Sequence, residues 1–219
     1  GSVASLDYLK EAILLARKYN FILAVDECYC DIFRMNRPKP PGALEAAASL
    51  GKGLDKLIIF NSLSKRSNAS GMRAGFIAGD KNIIESYKLL VSNGASPVPI
   101  PIQKVAASLY ADEEHHTKAC IHYDKNFSIV EKYLKPFYKD FKLPDAGFFL
   151  WLKVRDDQQA AKILWNKFSL RVMPGSYMGI NVQGFNPGKG FLRISLVDNK
   201  EVIEEAMKRI QLFLQSEIS

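Results

Sequence analysis

Two short apolar runs, Phe21-Ile22-Leu23-Ala24-Val25 and Leu57-Ile58-Ile59-Phe60, constrain this chain more than any other feature. Neither alternates polar with apolar residues, so each reads as a buried strand covered on both faces, as in a parallel sheet. Helical spacing surrounds them. Leu6, Leu9, Ile13 and Ala16 form one apolar stripe with Ser5 as its N-cap, and residues 44–50 form a short helix ahead of the second run. Strands alternating with helices predict an α/β fold, and open α/β sheets hold ligands beyond the carboxyl ends of their strands. Both runs end abruptly in polar residues there: Asp26-Glu27-Cys28-Tyr29 after the first, Asn61-Ser62-Leu63-Ser64-Lys65 after the second.

Further along, residues 74–79 read as another buried strand, and Asp80 caps a helix over residues 81–91. Ser96-Pro97-Val98-Pro99-Ile100-Pro101 is extended punctuation, helix resumes over residues 103–110, and a long helix over residues 113–134 carries Ile121, Phe127 and Val130 on its apolar side. The last third changes character. Strands at 147–152, 170–173 and 191–196 alternate with helices at 157–168 and 201–214. The expected organisation is a mostly parallel α/β domain over residues 1–112 and a small α+β domain over residues 113–219.

Bulk properties exclude several classes. A hydrophobic fraction of 47% and a charged fraction of 24% are those of a globular chain, and no apolar run is long enough to span a bilayer. No basic-plus-apolar leader opens the sequence, which predicts a cytoplasmic protein. The net charge of +7 comes from scattered Lys and Arg without a basic tract, which argues against nucleic acid as a partner. Cys28, Cys30 and Cys120 are odd in number and lack C-x-x-C spacing, so reduced thiols are expected. His115, His116 and His122 lack a matching Cys or carboxylate pattern, so solvated histidines are expected and no metal site.

The stretch Ser62-Leu63-Ser64-Lys65-Arg66-Ser67-Asn68-Ala69-Ser70-Gly71-Met72-Arg73-Ala74-Gly75-Phe76 carries the chemistry. A lysine at a strand end, beside two hydroxyls and an arginine, suits a phosphorylated aldehyde: the amine bonds the carbonyl carbon while serines and arginine hold the phosphate. Taken alone, Ser-x-Ser-Lys equally describes a surface lysine in a Ser/Gly-rich loop, and Asp26-x-x-Tyr29 equally describes an acidic strand end with a packed tyrosine. Arg193 interrupts the apolar strand Phe191-Leu192-Arg193-Ile194-Ser195, and an arginine there calls for a bound anion or a buried carboxylate.

Together these motifs resemble the class I/II, fold-type I pyridoxal-phosphate-dependent aminotransferases. Ser-Leu-Ser-Lys-Arg-Ser-Asn followed by Gly-Met-Arg-Ala-Gly-Phe is most like the branch containing N-succinyldiaminopimelate aminotransferases. The resemblance implies pyridoxal 5'-phosphate as cofactor, bonded by Lys65, which then shuttles a proton at the substrate α-carbon. It implies that Asp26 keeps the pyridine nitrogen protonated, that Tyr29 donates to the phenolic oxygen, and that Ser62, Ser64 and Arg73 hold the phosphate. Arg193 takes the substrate α-carboxylate. Arg66 is either a second basic group of the site or solvent-facing. The turns at 173–177 and 186–190 either line the substrate entrance or are ordinary Gly/Pro loops.

The implied reaction moves an amino group between an amino acid and a 2-oxo acid, with N-succinyl-L,L-diaminopimelate and 2-oxoglutarate as the pair, in lysine biosynthesis. The alternatives are an aspartate or other amino-acid aminotransferase, a β-lyase of the same fold, or a non-catalytic truncated paralogue. The resemblance reaches only the second part of a family member. Gly1 aligns with the end of the family's Asn-Pro-x-Gly motif, and the glycine-rich phosphate turn and the ring-stacking aromatic would lie upstream. This implies a fragment with weak cofactor binding and little activity, from an enzyme that is a homodimer at full length.

Overall fold

The computed structural model describes residues 1–51, 53–94 and 96–218, with Ile218 described by its backbone alone. Two compact units emerge, one of residues Ser2–Cys120 and one of Ile121–Ser219 together with Gly1.

In the first unit, α1 (Leu6–Lys18) starts where the Ser5 hydroxyl accepts the Tyr8 N–H at 3.1 Å, and it buries Leu9, Ile13 and Ala16. β1 (Leu23–Asp26), α2 (Ala43–Ser49), β2 (Leu57–Ser62), α3 (Leu63–Arg66), β3 (Gly75–Gly79), α4 (Lys81–Gly94) and α5 (Ile100–Ala111) follow. The strand order is β1-β2-β3. β1 and β2 pair parallel from Leu23↔Leu57 to Asp26↔Phe60, and β2 and β3 pair antiparallel from Ile58↔Gly79 to Ser62↔Gly75. Leu9 and Ile13 of α1 pack with Ala43, Ala46 and Ala47 of α2 against Leu57 and Ile59 of the central strand. Alanines on α2 let the two helices approach closely, and each buried Leu or Ile contributes about 1.5–3 kcal/mol.

Two expectations about this sheet are corrected. The first apolar run is not covered on both faces: β1 is an outer strand with alternating burial, and Phe21 and Ile22, just before it, are 45% and 56% exposed. β3 is not a buried strand either, since Gly75 and Phe76 are exposed. It also runs antiparallel, which its apolar composition did not signal. The connection from β2 holds only a one-turn helix and a 3-10 turn at Ser70–Met72. A parallel return needs a longer crossover, usually helical. Asp80 caps α4 as expected, its Oδ1 accepting the Asn82 N–H at 2.8 Å, while Oδ2 accepts the Lys56 N–H at 3.0 Å and ties the start of β2 to the end of β3.

α6 (Glu114–Leu134) begins in the first unit and runs on into the second. There it is joined by β4 (Phe149–Lys153), α7 (Asp157–Phe168), β5 (Met173–Pro174), β6 (Phe191–Ser195) and α8 (Lys200–Ile218). The sheet is antiparallel with order β4-β6-β5. Leu150, Leu152, Leu192 and Ile194 point inward and meet Phe127, Val130 and Leu134 of α6, Leu164 of α7, and Met207, Ile210 and Phe213 of α8. Ile121 leaves the expected apolar side of α6 and is 40% exposed, whereas Phe127 and Val130 are fully buried. Among the described residues no helix is long and apolar enough to cross a membrane.

Gly75 and Gly79, at the two ends of β3, both lie too close to β2 to carry a side chain. A Cβ on Gly75 would lie 2.2 Å from the Asn61 carbonyl oxygen, so any side chain pushes β3 off β2. We expect Gly75→Ala to destabilise the first unit by about 1–3 kcal/mol, the cost of overpacking, as read by urea unfolding.

Candidate functional site

Most of the residues singled out above meet at one end of the first sheet. β1 and β2 run parallel, so their carboxyl ends emerge on the same side, and the antiparallel β3 brings its amino end there too. Asp26 closes β1, Ser62 closes β2, Ser64 and Lys65 sit on α3, and Arg73 precedes β3. Asp26 is exposed, and its Oδ1 accepts the Cys28 N–H at 3.0 Å, which holds the turn that carries Tyr29. The Lys65 amine lies 5.5 Å from the centroid of the Tyr29 ring. The Ser62 hydroxyl caps α3 by accepting the Ser64 N–H at 3.1 Å and donates to Ser64 Oγ at 2.9 Å. Arg73 adopts a left-handed backbone (φ 50°), with its exposed guanidinium donating to the Ser70 carbonyl at 3.0 Å.

Arg193 belongs to the second unit. It is half-buried on the outward face of β6 and not an interior cation, and among the described residues no carboxylate pairs with it. Its guanidinium lies over the Phe149 ring, 4.5 Å from the centroid. Next to it on the same face, Trp151 and Phe191 pack edge to face beside a cavity of about 410 Å³ that Gly175, Met178, Pro187 and Gly188 also line. The glycines of the two turns have a packing reason that loop chemistry does not supply. A Cβ on Gly175 would lie 2.3 Å from the Gly188 oxygen, and one on Gly188 would lie 2.0 Å from the Gly175 oxygen.

Several residues that sequence reasoning missed build the frame. Asn61 donates weakly to the Glu27 carbonyl (3.5 Å) and to Cys30 Sγ (3.4 Å), and it accepts the Tyr110 hydroxyl at 3.0 Å. Glu27 Oε1 accepts the Ala43 N–H at 2.7 Å and so supplies the cap that Gly42 cannot. The signal for Asn61 was present: an amide at the end of an apolar strand wants partners. Nothing local marked Glu27 or Tyr110.

Arg66 and the histidines correct the earlier expectations. Arg66 does not face solvent: it is 4% exposed, and its Nη2 donates to Glu113 Oε1 at 2.7 Å. His116 is not solvated either. It is buried, donates from Nε2 to the Asp31 carbonyl, and packs against Phe33. His115 bridges Asp112 Oδ2 (2.9 Å) and Ser67 Oγ (2.8 Å). That order of groups resembles a hydrolytic relay, but the neighbouring N–H groups of Ser67 and Ala69 both donate to the Leu63 carbonyl and cannot form an oxyanion hole. The bridge therefore works as a fastening. Among the described residues no group of three or more His, Cys, Asp and Glu is placed to hold a metal ion.

None of the three cysteines is in a disulfide. Burial, then the hydrogen bond and charge of Asp26, push the Cys28 thiol up to about 11, and burial with the charges of Asp31 and Glu27 pushes Cys30 up to about 12. Both stay protonated near neutrality and are poor nucleophiles. In the second unit, burial raises the Asp157 carboxyl, but the Ser176 hydroxyl and then the Gly190 and Ser176 N–H groups outweigh it and hold the group below its usual value. Its Oδ2 accepts the Ser176 N–H at 2.8 Å and its Oδ1 the Gly190 N–H at 3.0 Å.

Known aminotransferases share this fold. A Neisseria meningitidis aminotransferase structure superposes with a TM-score of 0.90 at 40% identity, covering 97% of this chain and 55% of that one. A probable N-succinyldiaminopimelate aminotransferase from Thermus thermophilus gives 0.82 at 27% identity, covering 97% and 55%. The fold is thus that of part of a fold-type I transferase. The family described as Aminotransferase class I and II matches residues 1–210, and the chain belongs to it. Members of that family use pyridoxal 5'-phosphate. Among curated relatives, LL-diaminopimelate aminotransferase 2 of a Nostoc species is 28% identical over 96% of this chain and 52% of its own length. The chain spans about half the length of the curated relatives it matches.

Two measurements test the site. Alkylation of Cys28 and Cys30 at pH 8, followed by peptide mass spectrometry, should be slower than that of a free thiol of pKa about 8.5 and should keep rising beyond pH 10. Asp157 has a depressed pKa in the fold, so its contribution is present above the unfolded value of about 3.9 and is lost as pH falls through the folded one. We expect Asp157→Asn, which turns an amide NH2 toward one of two N–H donors, to cost about 1–3 kcal/mol at pH 7 and to flatten the loss of stability below pH 4 in thermal melts.

Proposed function

We propose that the full-length protein is a pyridoxal-phosphate-dependent aminotransferase, and that this chain supplies its lysine, its pyridine-side carboxylate and its carboxylate-binding arginine. The observation that carries the reading is the convergence of Asp26, Tyr29, Ser62, Ser64, Lys65 and Arg73 at one sheet end. The donor set fits the cofactor's groups. Two hydroxyls 2.9 Å apart and an exposed guanidinium suit a phosphate, a lysine amine suits an aldehyde, and an exposed carboxylate suits a pyridinium.

When bound, the cofactor supplies an electron sink that makes the substrate's α-proton removable. Lys65 would hold the cofactor through its aldehyde carbon, with loss of water, and its amine would move the proton at the substrate α-carbon. Asp26 keeps the ring nitrogen protonated by holding a negative charge beside it. Tyr29 would donate to the phenolic oxygen, and Ser62, Ser64 and Arg73 would hold the phosphate. Arg193 pairs with the substrate α-carboxylate through a planar fork that lysine does not offer.

For the substrate we propose N-succinyl-L,L-diaminopimelate with 2-oxoglutarate. The lysine motif and the similarity to a probable N-succinyldiaminopimelate aminotransferase support it. The curated relatives favour a second reading, free LL-diaminopimelate as amino donor. Donor profiling of the full-length protein with product identification separates these from aspartate, and we expect the succinylated donor to give the highest kcat/KM. We further propose a cytoplasmic homodimer at full length. The polypeptide described here should bind the cofactor weakly by itself, since relatives are about twice as long and Phe21, Ile22, Leu89 and Leu90 stand exposed. Titration with pyridoxal phosphate should give a stoichiometric visible band in the full-length protein that Lys65→Ala abolishes, and little band in this chain. A full stoichiometric band in this chain would overturn the weak-binding proposal.

A further inference from the structure

Lys65 sits on a helix of only four residues, and one isolated turn is not stable on its own. Its orientation must therefore be imposed from outside. Leu63 and Arg66 lie three residues apart on the inner side of the turn and are 0% and 4% exposed, while Lys65 lies on the more open side. Leu63 anchors one end in the apolar core. At the other end Arg66 spreads its fork over a set of acceptors. Nη2 reaches Glu113 Oε1 (2.7 Å) and the carbonyls of Tyr110 (3.3 Å) and Asp112 (3.4 Å), and Nη1 lies 3.6 Å from Asp31 Oδ2. Ser67 adds a second strut through His115, which Asp112 holds.

We infer that Arg66 is a positioning residue for Lys65: through Glu113, Asp31 and the Tyr110 and Asp112 carbonyls it fastens the lysine turn to the start of α6 and to the turn that carries Tyr29. The inference rests on the reading above in which Lys65 bonds the cofactor. Two observations go beyond a generic ion pair. The residues immediately after Lys65 both reach the 110–115 segment, and Asp31, two residues past Tyr29, shares the same guanidinium. Arg66 thus sets the lysine amine and the tyrosine ring against one fixed point. Its Nε is buried without a hydrogen-bond partner, so the side chain is held for where its fork points rather than for full satisfaction of its donors. A lysine would keep the charge and lose the fork.

The test uses Arg66→Lys, Arg66→Met and Glu113→Gln; Glu113 is 67% exposed, so its substitution leaves the core intact. In cofactor-free protein, amide hydrogen exchange over residues 62–69 should accelerate about tenfold, the effect of one lost charge-assisted hydrogen bond, while exchange over residues 121–218 stays unchanged. Competitive acetylation should show the Lys65 amine changing reactivity relative to the exposed Lys81 of the same molecule. In full-length protein with cofactor, kcat should fall about 100-fold, as for an ångström of misplacement, with KM for the amino donor within about twofold. Unchanged exchange, Lys65 reactivity and kcat in both Arg66→Lys and Glu113→Gln would overturn the inference, as would a KM rise that accounts for the whole loss. If Arg66→Met fails to fold, the other two variants decide. Absence of a lysine-bound cofactor in the wild-type full-length protein would sink the functional reading alone, because exchange and acetylation still report on the fastening.

Discussion

The parallel ladder between β1 and β2 is the constraint on which the rest of the first unit depends. Pairing Asp26 with Phe60 sets how far each strand runs before its polar tail begins, and it sends both tails out on the same side. A one-residue slip would turn the core side chains Leu57 and Ile59 outward, so the packing of α1 and α2 against those residues enforces the register. Acid, phenol and amine, distant in sequence, become neighbours because the apolar face of a strand tolerates only one alignment.

Apolar packing cannot orient the lysine itself, since Lys65 must stay accessible. The structure handles this with buried polar groups around it. Arg66, His116 and Asn61 all lie away from solvent or half so, and each reaches a carbonyl or carboxylate from a distant segment. Removing one member of such a set leaves its partner uncompensated, at about 3–5 kcal/mol for a buried charge. That cost makes the geometry specific. The second unit shows the converse arrangement. Its core is built of apolar side chains from α6, α7, α8 and the sheet, with Asn126 and Asp157 buried beside it, and Arg193 rides on the outer face of the sheet, steadied by the Phe149 ring.

Much of the fold was legible because periodicity survives in short windows. α1 begins at the expected Ser5 cap, α7 spans the expected 157–168, and strands β2, β4 and β6 fall within a residue or two of the apolar runs that announced them. The misses share one cause. Whether Phe21 and Ile22 are covered and whether Ile121 faces inward depend on which other element lies opposite, and no window of residues contains that information. His116 looked solvated, and Arg66 stayed open between a site role and a solvent-facing one, for the same reason: their partners, Asp31 and Glu113, are remote in the chain.

The sequence by itself determined the chemistry on offer. A strand-end lysine with flanking serines and an arginine, an Asp-x-x-Tyr after a second strand, and an arginine inside a third strand are properties of residue type and local spacing. Tertiary structure alone decided how those groups are held. It placed six of them at one sheet end, buried the arginine beside the lysine, set His115 as a bridge rather than a nucleophile's partner, and pressed Gly175 against Gly188. Local spacing encodes which atoms a segment can present. Only packing across distant segments decides which of them share a site and which are spent holding it in place.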